Sequence, residues 1–473
     1  MGFPRVVLAA LRGGSGKTIL SVGIIAAWRK LGKKVAAFKK GPDYIDAGWL
    51  ALAAGRSCYN LDTFLVPEQR VFESFLFHAA DSDIAFIEGN RGLFDGIDIE
   101  GTTSTAELAK LLDAPVILCL DCTKTTRTMA AVVGGCIHFD PDVEIKGVIL
   151  NRVAGLRHET ILRETIEHFC GVPVLGAIPK LNRQIFPERH MGLVPTDEHA
   201  LAMDSIARIS DVAEKHLDLR AIGEITRNAH KISKQKPTEK GSGERIFVTT
   251  NQKTGPVTQR PRIGIIRDSV FQFYYPENIE ALALQGADLV VISPLEASTL
   301  PSIDALYIGG GFPETHANAL AENQGFRSEL KSLAEDGLPV YAECGGLMYL
   351  AESLVLKATT YPMAGVLPVV FGLSQRPQGH GYTVIRVEKE NPYFEVGTEC
   401  RGHEFHYSNV LDWWGNEDDF VFTMKRGIGI LKNKDGLLYK NVLATYTHLH
   451  ALGVPFWAEA IVRNALGRTK IGN

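Results

Sequence analysis

The sequence predicts an α/β protein of two doubly wound domains, and three observations carry that prediction. Apolar strand-like runs alternate with helix-like segments twice along the chain, the pattern of βαβ units on a parallel sheet. The first run leads at once into a glycine loop ending in Lys-Thr. Between the two alternations the chain turns polar and rich in turn formers, as in Thr238-Glu-Lys-Gly-Ser-Gly-Glu244. The expected division is a first domain over 1–225, a linker over 226–261 and a second domain over 262–473.

Composition narrows the function classes. A chain of 473 residues with 45% hydrophobic and 22% charged content has ample material for real cores. The net charge of −4 argues against a nucleic-acid backbone as partner. Seven scattered cysteines do not make a disulfide framework, and the lone Cys119-x-x-Cys122 reads as strand-end packing before metal binding. No apolar run approaches the ~18 residues of a membrane span. The segment Met1-Gly-Phe-Pro-Arg5 leads straight into a strand and does not read as a signal peptide. The expected protein is cytoplasmic, with no nucleic-acid or membrane partner; a homodimer is left open.

In the first half, a strand over 6–11 precedes Arg12-Gly-Gly-Ser-Gly-Lys-Thr18 and a helix over 19–31. Backbone amides along this loop, including Gly14 and Gly16, suit phosphates at a helix start. Lys17 supplies a point charge, and Thr18 a hydroxyl ligand for Mg2+. Leu11 stands where the strict motif has glycine, but the GGSGKT core remains and outweighs the alternative of a turn that happens to hold Lys-Thr.

A second strand, 33–38, runs into Lys39-Lys-Gly-Pro-Asp-Tyr-Ile-Asp46, which puts Asp43 and Asp46 where doubly wound sheets place ligands. A capping Asp beside a solvated one would be the bland account, but it leaves two lysines unexplained. Strand 84–88 ends in Glu88, the usual position of a second magnesium anchor, and its glycine loop carries Asp95. Strands over 115–120, 146–150 and 172–177 follow, with helices over 104–112 and 159–169 between them. Asn151 ends the second of these strands and is counted with Gly14, Gly16, Lys17 and Thr18 as nucleotide-binding.

In the second half, strands over 263–266, 288–292, 305–308 and 339–342 alternate with helices over 277–285 and 314–321. The last strand runs into Ala342-Glu-Cys-Gly-Gly346, the layout of a nucleophile elbow centred on Cys344. Amides of Gly345 and of Gly310, in the glycine turn 309–311, are the candidate oxyanion donors. A helix start would also favour the thiolate. A buried strand-end cysteine explains this stretch equally well. A thiol nucleophile needs a base, which the fold can bring from far in sequence. His448 and His450 alternate in a β-like segment and face one side, whereas His403 and His406 fit helix or loop spacing.

Together these motifs resemble the cobyrinate a,c-diamide synthase family of glutamine-dependent tetrapyrrole amidases. The resemblance rests on the GSGKT loop, residues 38–46, Asn60-Leu-Asp62 and residues 87–96 in the first half. In the second half it rests on Gly309-Gly-Gly-Phe-Pro-Glu314, Ala342-Glu-Cys-Gly-Gly346, Arg401-Gly-His-Glu-Phe-His-Tyr-Ser408 and Tyr446-Thr-His-Leu-His450. It implies a dethiobiotin-synthetase-like P-loop domain followed by a class I glutaminase-like domain. It also implies Cys344 as nucleophile with His448 as its base, and Asp43, Asp46 and Glu88 as magnesium-binding and substrate-activating carboxylates. L-Glutamine would supply ammonia, and ATP–Mg2+ would activate a carboxylate of a tetrapyrrole polycarboxylate as an acyl phosphate. Sirohydrochlorin, nickel sirohydrochlorin, siroheme and hydrogenobyrinate are alternative acceptors within the resemblance. Where ordinary class I glutaminases place Glu two residues after the histidine, this chain has His450, so a third triad member is not assignable. A P-loop switch or partitioning-type ATPase with a binding module would explain residues 1–200 but leave Cys344 idle.

Overall fold

The computed structural model of the protein describes residues 3–181, 188–189, 192–196, 201–230 and 260–469. The described residues form two compact units: those up to 230 without Phe64–Val66, and Phe64–Val66 with 260–469. Most of the expected linker, 231–259, lies outside the described residues; Thr226 and Arg227, at its start, end a helix.

The first unit is built on strands β1 (Arg5–Ala10), β2 (Val35–Lys40), β3 (Cys58–Leu61), β4 (Ile84–Glu88), β5 (Val116–Asp121), β6 (Ile145–Val153) and β7 (Val174–Pro179). They form one parallel sheet in the order β3-β2-β4-β1-β5-β6-β7. β1 and β2 are buried along their whole length, which is why they read as unbroken apolar runs before the polar β2 end. Helices α1 (Lys17–Lys30), α2 (Tyr44–Ala54), α3 (Glu68–Ala79), α4 (Thr105–Leu111), α5 (Thr128–Phe139) and α6 (Leu156–Cys170) make the crossovers. Local chemistry sets their ends. Asp43 caps α2 by accepting the Asp46 amide, Gly55 ends it at φ 68°, and the Ser104 side chain caps α4. After β7 come a two-stranded ribbon, β8 (Glu188–Arg189) with β9 (Gly192–Leu193), and helices α7 (Ala202–His216) and α8 (Leu219–Arg227). The chain enters at β1, in the middle of the sheet, with β4 on one side and β5 on the other. The crevice above its carboxyl end is therefore the switch point where such sheets bind ligands.

The second unit begins with β10 (Arg262–Ile266), α9 (Pro276–Leu284), β11 (Asp288–Ile292) and β12 (Ala305–Ile308). The segment expected as one helix over 314–321 divides into a 3-10 turn, Pro313–His316, and α10 (Ala317–Glu322). Then come α11 (Gln324–Glu335), β13 (Val340–Glu343) and the short α12 (Gly345–Leu350). The β-rich remainder comprises β14 (Ala351–Leu356), β15 (Thr359–Pro362), β16 (Leu367–Leu373), β17 (Gly379–Val387), β18 (Glu399–His406) and β19 (Ser408–Trp413). It closes with β20 (Phe420–Arg426), β21 (Lys434–Tyr439), β22 (Val442–Thr445), β23 (His448–Leu449) and α13 (Phe456–Thr469). A four-stranded sheet runs β15-β14-β16-β19, and a ten-stranded one runs β11-β10-β12-β13-β22-β21-β20-β17-β18-β23.

In that large sheet β22 and β23 are five places apart, yet only Tyr446 and Thr447 separate them in the chain. The sheet must curl until its far edge returns to β13, and this brings His448 to the cysteine end of β13. Asp435 secures the crossing point: its buried carboxylate accepts Thr445 Oγ1 at 2.7 Å and the amides of Tyr446 and Thr447 at 3.0 and 3.1 Å. His403 and His406 belong to a strand, so the helix or loop spacing expected for them is corrected. Their odd separation puts them on opposite faces of β18. No helix among the described residues is long and apolar enough to cross a membrane.

Asp435→Ala strips Thr445 Oγ1 and the amides of Gly436 and Tyr446 of this acceptor, while the Thr447 amide keeps Thr445 Oγ1. The predicted loss is about 2–4 kcal/mol in the second unit's stability. Urea unfolding followed by near-UV circular dichroism checks this; an unchanged midpoint would show that the crossing holds without the carboxylate.

Candidate functional site

The first centre lies where β1, β2 and β4 end. Register sets both Leu8 and Lys39 beside Glu88. In the loop after β1, Gly14 and Gly16 take left-handed φ values of 70° and 91°. A Cβ at Gly16 would lie 2.4 Å from Asn151 Nδ2, so only glycine lets the loop rest on β6. Asn151 in turn donates Nδ2 to the Ser15 carbonyl at 2.8 Å, supporting the loop from beneath. Cys119 and Cys122 are buried there as well, and burial pushes both thiols up to about 12. Cys119 Sγ donates to the same Ser15 carbonyl. Lys17 Nζ donates to the carbonyl of Arg91 at 2.8 Å and to that of Arg12 at 3.3 Å. Thr18 Oγ1 donates to Glu88 Oε1 at 2.9 Å.

The group that binds the carboxylates together is one the sequence reading left without a role. Lys39 Nζ, buried at the end of β2, reaches Glu88 Oε1 at 2.5 Å and Asp46 Oδ2 at 2.7 Å. Burial alone would lower the lysine, but Asp46, Glu88 and Asp43 outweigh it and hold the ammonium above its usual range. Burial pushes Glu88 up, and Lys39 only partly offsets this. At Asp46 the order reverses: burial opposes ionisation, yet Lys39 wins and the carboxyl stays below its ordinary value. Asp43, which lacks that direct contact, is pushed up to about 7 by burial and then by Asp46. Its Oδ1 accepts the Asp46 amide at 2.7 Å, so the capping role weighed for it is present. Asp95 holds its own glycine loop, accepting the Gly92 amide at 2.8 Å.

Among the described residues no three Asp, Glu, His or Cys side chains are gathered to hold a metal ion unaided. Glu88 Oε2 is nevertheless buried without a hydrogen-bond donor, next to the Thr18 hydroxyl. Such an oxygen pair suits Mg2+, which usually takes one or two protein ligands and completes its shell with phosphates and water.

The second centre is the turn from β13 into α12. Cys344 has φ 49° and ψ −98°, a conformation that costs a non-glycine residue about 1–3 kcal/mol and clusters at functional sites. Its amide donates to Thr445 O at 2.7 Å, tying the elbow to β22, and Sγ lies 3.9 Å from Phe405 O. The glycine turn after β12 closes over it: a Cβ on Gly345 would lie 2.7 Å from the Gly311 nitrogen. A Cβ on Gly310 would lie 2.5 Å from His448 Cε1 and 3.3 Å from Nε2. Gly310, Gly345, His448 and Cys344 thus gather around one turn, although nothing in the sequence sets them side by side.

The helix start does not deliver the thiolate expected of it. Burial dominates and pushes the Cys344 thiol well above its usual range, with Glu314, Glu343 and Glu404 adding to it and only the Gly345 amide opposing. A six-residue helix has too small a dipole to reverse a full desolvation penalty. Glu343, the residue before the nucleophile, carries no role in the sequence pattern. It is fully buried, with Oε2 3.4 Å from His448 Nδ1. Its one sequence signal is a charged residue at the end of an otherwise apolar strand. His450 lies apart with Glu277, 3.6 Å from its Oε1, under the ring of Tyr275.

A glycine loop with Lys17 and Thr18 at a switch point, joined in one chain to a strained cysteine whose neighbouring glycine turn packs on a histidine, finds its counterpart in known families. The family described as CobQ/CobB/MinD/ParA nucleotide binding domain matches residues 6–194. The CobB/CobQ-like glutamine amidotransferase domain matches residues 262–456. Together they define the class, a glutamine-hydrolysing carbon–nitrogen ligase. Over 97% of both chains, the protein is 43% identical to the cobyrinate a,c-diamide synthase of Magnetococcus marinus. It is 39% identical to that of Archaeoglobus fulgidus over 98% of both, and 40% identical to that of Dehalococcoides mccartyi over 99% of both. The chain belongs to the cobyrinate a,c-diamide synthase family.

Lys39→Met removes the cation from two buried carboxylates and is expected to cost the first unit about 3–5 kcal/mol near neutral pH. Without the lysine, Asp46 and Glu88 titrate higher, so the native state binds more protons than the unfolded one. The deficit relative to wild type therefore shrinks as pH falls from about 8 to about 5. Urea titrations across that range check it; a deficit independent of pH would contradict the charge account.

Proposed function

We propose that the protein amidates the a- and c-side-chain carboxylates of cobyrinate, using ATP and ammonia released from glutamine. The observation that carries this reading is the pairing of two chemically complete centres in a chain similar, end to end, to synthases of that name. The relatives named above all carry the cobyrinate name, so the other rings and the P-loop switch are not carried forward.

At the second centre, Cys344 attacks the side-chain amide of glutamine. Burial holds the thiol protonated at rest, so His448 must accept that proton as the C–S bond forms. The protonated imidazole then gives the proton to the leaving nitrogen, ammonia departs, and water hydrolyses the thioester. Amides of Gly310 and Gly345 take the charge on the carbonyl oxygen.

At the first centre, Gly14, Gly16, Lys17 and Thr18 hold the ATP phosphates, with Asn151 fixing the loop. Thr18 and Glu88 are the residues that would hold Mg2+, which supplies charge neutralisation on the phosphates when bound. Lys39 keeps Asp46 ionised and fixes its position, while Asp43, poised near neutrality, is suited to exchange a proton with the acceptor carboxyl. That carboxyl takes the γ-phosphoryl group as an acyl phosphate. Ammonia displaces phosphate, and two rounds give the diamide.

The two centres are separable by mutation. Cys344→Ala is expected to lose glutamine-supported amidation by at least about 10³-fold while ammonium chloride still supports it. Lys17→Ala is expected to lose amidation from either nitrogen source and to keep slow glutamine hydrolysis. Counting product amides and released ADP for both variants checks this. A folded Cys344→Ala protein that is equally inactive with ammonium would remove the two-centre reading.

A further inference from the structure

We propose that Glu343 is the positioning residue of the glutaminase centre, holding His448 in the one tautomer that can take the Cys344 proton. The inference rests on Cys344 and His448 being the reacting pair. Glu343 ends β13 inside the sheet, and fixed donors set its carboxylate plane. Oε1 accepts the Leu449 amide at 3.1 Å, and Oε2 accepts the Tyr307 hydroxyl at 3.1 Å. The remaining acceptor capacity of Oε2 faces His448 Nδ1 at 3.4 Å. With the Tyr307 hydroxyl and the Leu449 amide donating to it, the Glu343 carboxyl acts here as an acceptor, so in a neutral ring Nδ1 carries the hydrogen and Nε2 the lone pair. Nε2 lies on the edge of the ring turned to Gly310, whose turn packs on the elbow at Gly345.

The neighbouring histidine shows that this arrangement is not general to the cluster. His450 Nδ1 accepts the Leu452 amide at 3.2 Å, so its proton sits on Nε2, toward Glu277. Two histidines separated by one residue therefore hold opposite tautomers, and of the two it is His448 whose Nε2 edge meets the Gly310 turn. His403 stacks on His448 with ring centres 4.9 Å apart and an angle of 20°, and the Tyr275 hydroxyl lies 3.2 Å from its Nδ1. Burial, then His448 and His450, hold His403 neutral, so His403 adds no charge against one on His448. When the S–H bond breaks and the N–H bond forms at Nε2, the new imidazolium sits at a buried position. Glu343 is the counter-charge that meets it.

The test uses the full chain and five variants. Glu343→Gln keeps an acceptor for the Leu449 amide but turns an N–H donor toward His448, which favours the wrong tautomer. The expected result is a fall in glutaminase kcat of about 10²- to 10⁴-fold, with KM for glutamine within about 3-fold. Ammonium-supported amidation stays within about 2-fold of wild type. Glu343→Asp, which keeps the charge at a longer reach, recovers part of kcat. In a His448→Ala background, Glu343→Gln adds no further loss, because Glu343 acts through that ring. Unchanged kcat in Glu343→Gln would overturn the proposal. So would an additional loss in the His448→Ala background, or a parallel collapse of ammonium-supported amidation, which marks a merely structural role. If instead Cys344→Ala or His448→Ala keeps full glutaminase activity, the reacting pair itself is wrong, a result distinct from any failure at Glu343.

Discussion

The whole design depends on placing ionisable groups where water cannot solvate them and giving each a partner from a distant strand. An isolated charge in such a place costs several kcal/mol even after relaxation, so the partner is not optional. In the first unit Lys39 spans Glu88 and Asp46, and it ties the ends of β2 and β4 to the first turn of α2. In the second, Glu343 at the end of β13 meets His448 on β23. Sheet register sets Lys39 beside Glu88, and the chain's short passage from β22 to β23 brings His448 to Glu343, which makes the reacting geometry a property of the core and not of a mobile loop.

The same constraint separates neighbouring groups that look alike in sequence. Asp43 and Asp46 share one short segment, yet contact with Lys39 keeps Asp46 ionised while burial brings Asp43 to about 7. His448 and His450 are separated by one residue, yet Nδ1 of the first faces Glu343 while Nδ1 of the second accepts the Leu452 amide. Groups of one type held in different states at one centre are the raw material of acid–base chemistry.

Much of this was legible in the sequence, and what was hidden has a physical reason. The apolar run before Gly13, the Lys-Thr after it and the elbow at Cys344 are local patterns, and the structure places them where such patterns belong. Glu88 and Asn151 stood out in the sequence as strand-end residues, and the structure sets them at the end of β4 and near the end of β6. Lys39 and Glu343 escaped because their meaning lies in partners 49 and 105 residues away, Glu88 and His448, and no periodicity encodes those pairings. The spacing of His403 and His406 suited helix or loop, and only the ladder with β17 decides for strand. The stabilised thiolate expected at Cys344 failed because depth of burial is invisible in sequence, and here burial outweighs a short helix.

Two centres in one chain make chemical sense if one supplies nitrogen and the other a carboxylate activated to receive it. The activation step is the core of that account. Cobyrinate labelled with ¹⁸O in its carboxylates, incubated with ATP and glutamine, tests it directly through the isotope content of the released phosphate. An acyl phosphate predicts one ¹⁸O atom in phosphate for each amide formed. Unlabelled phosphate accompanying the diamide would contradict it.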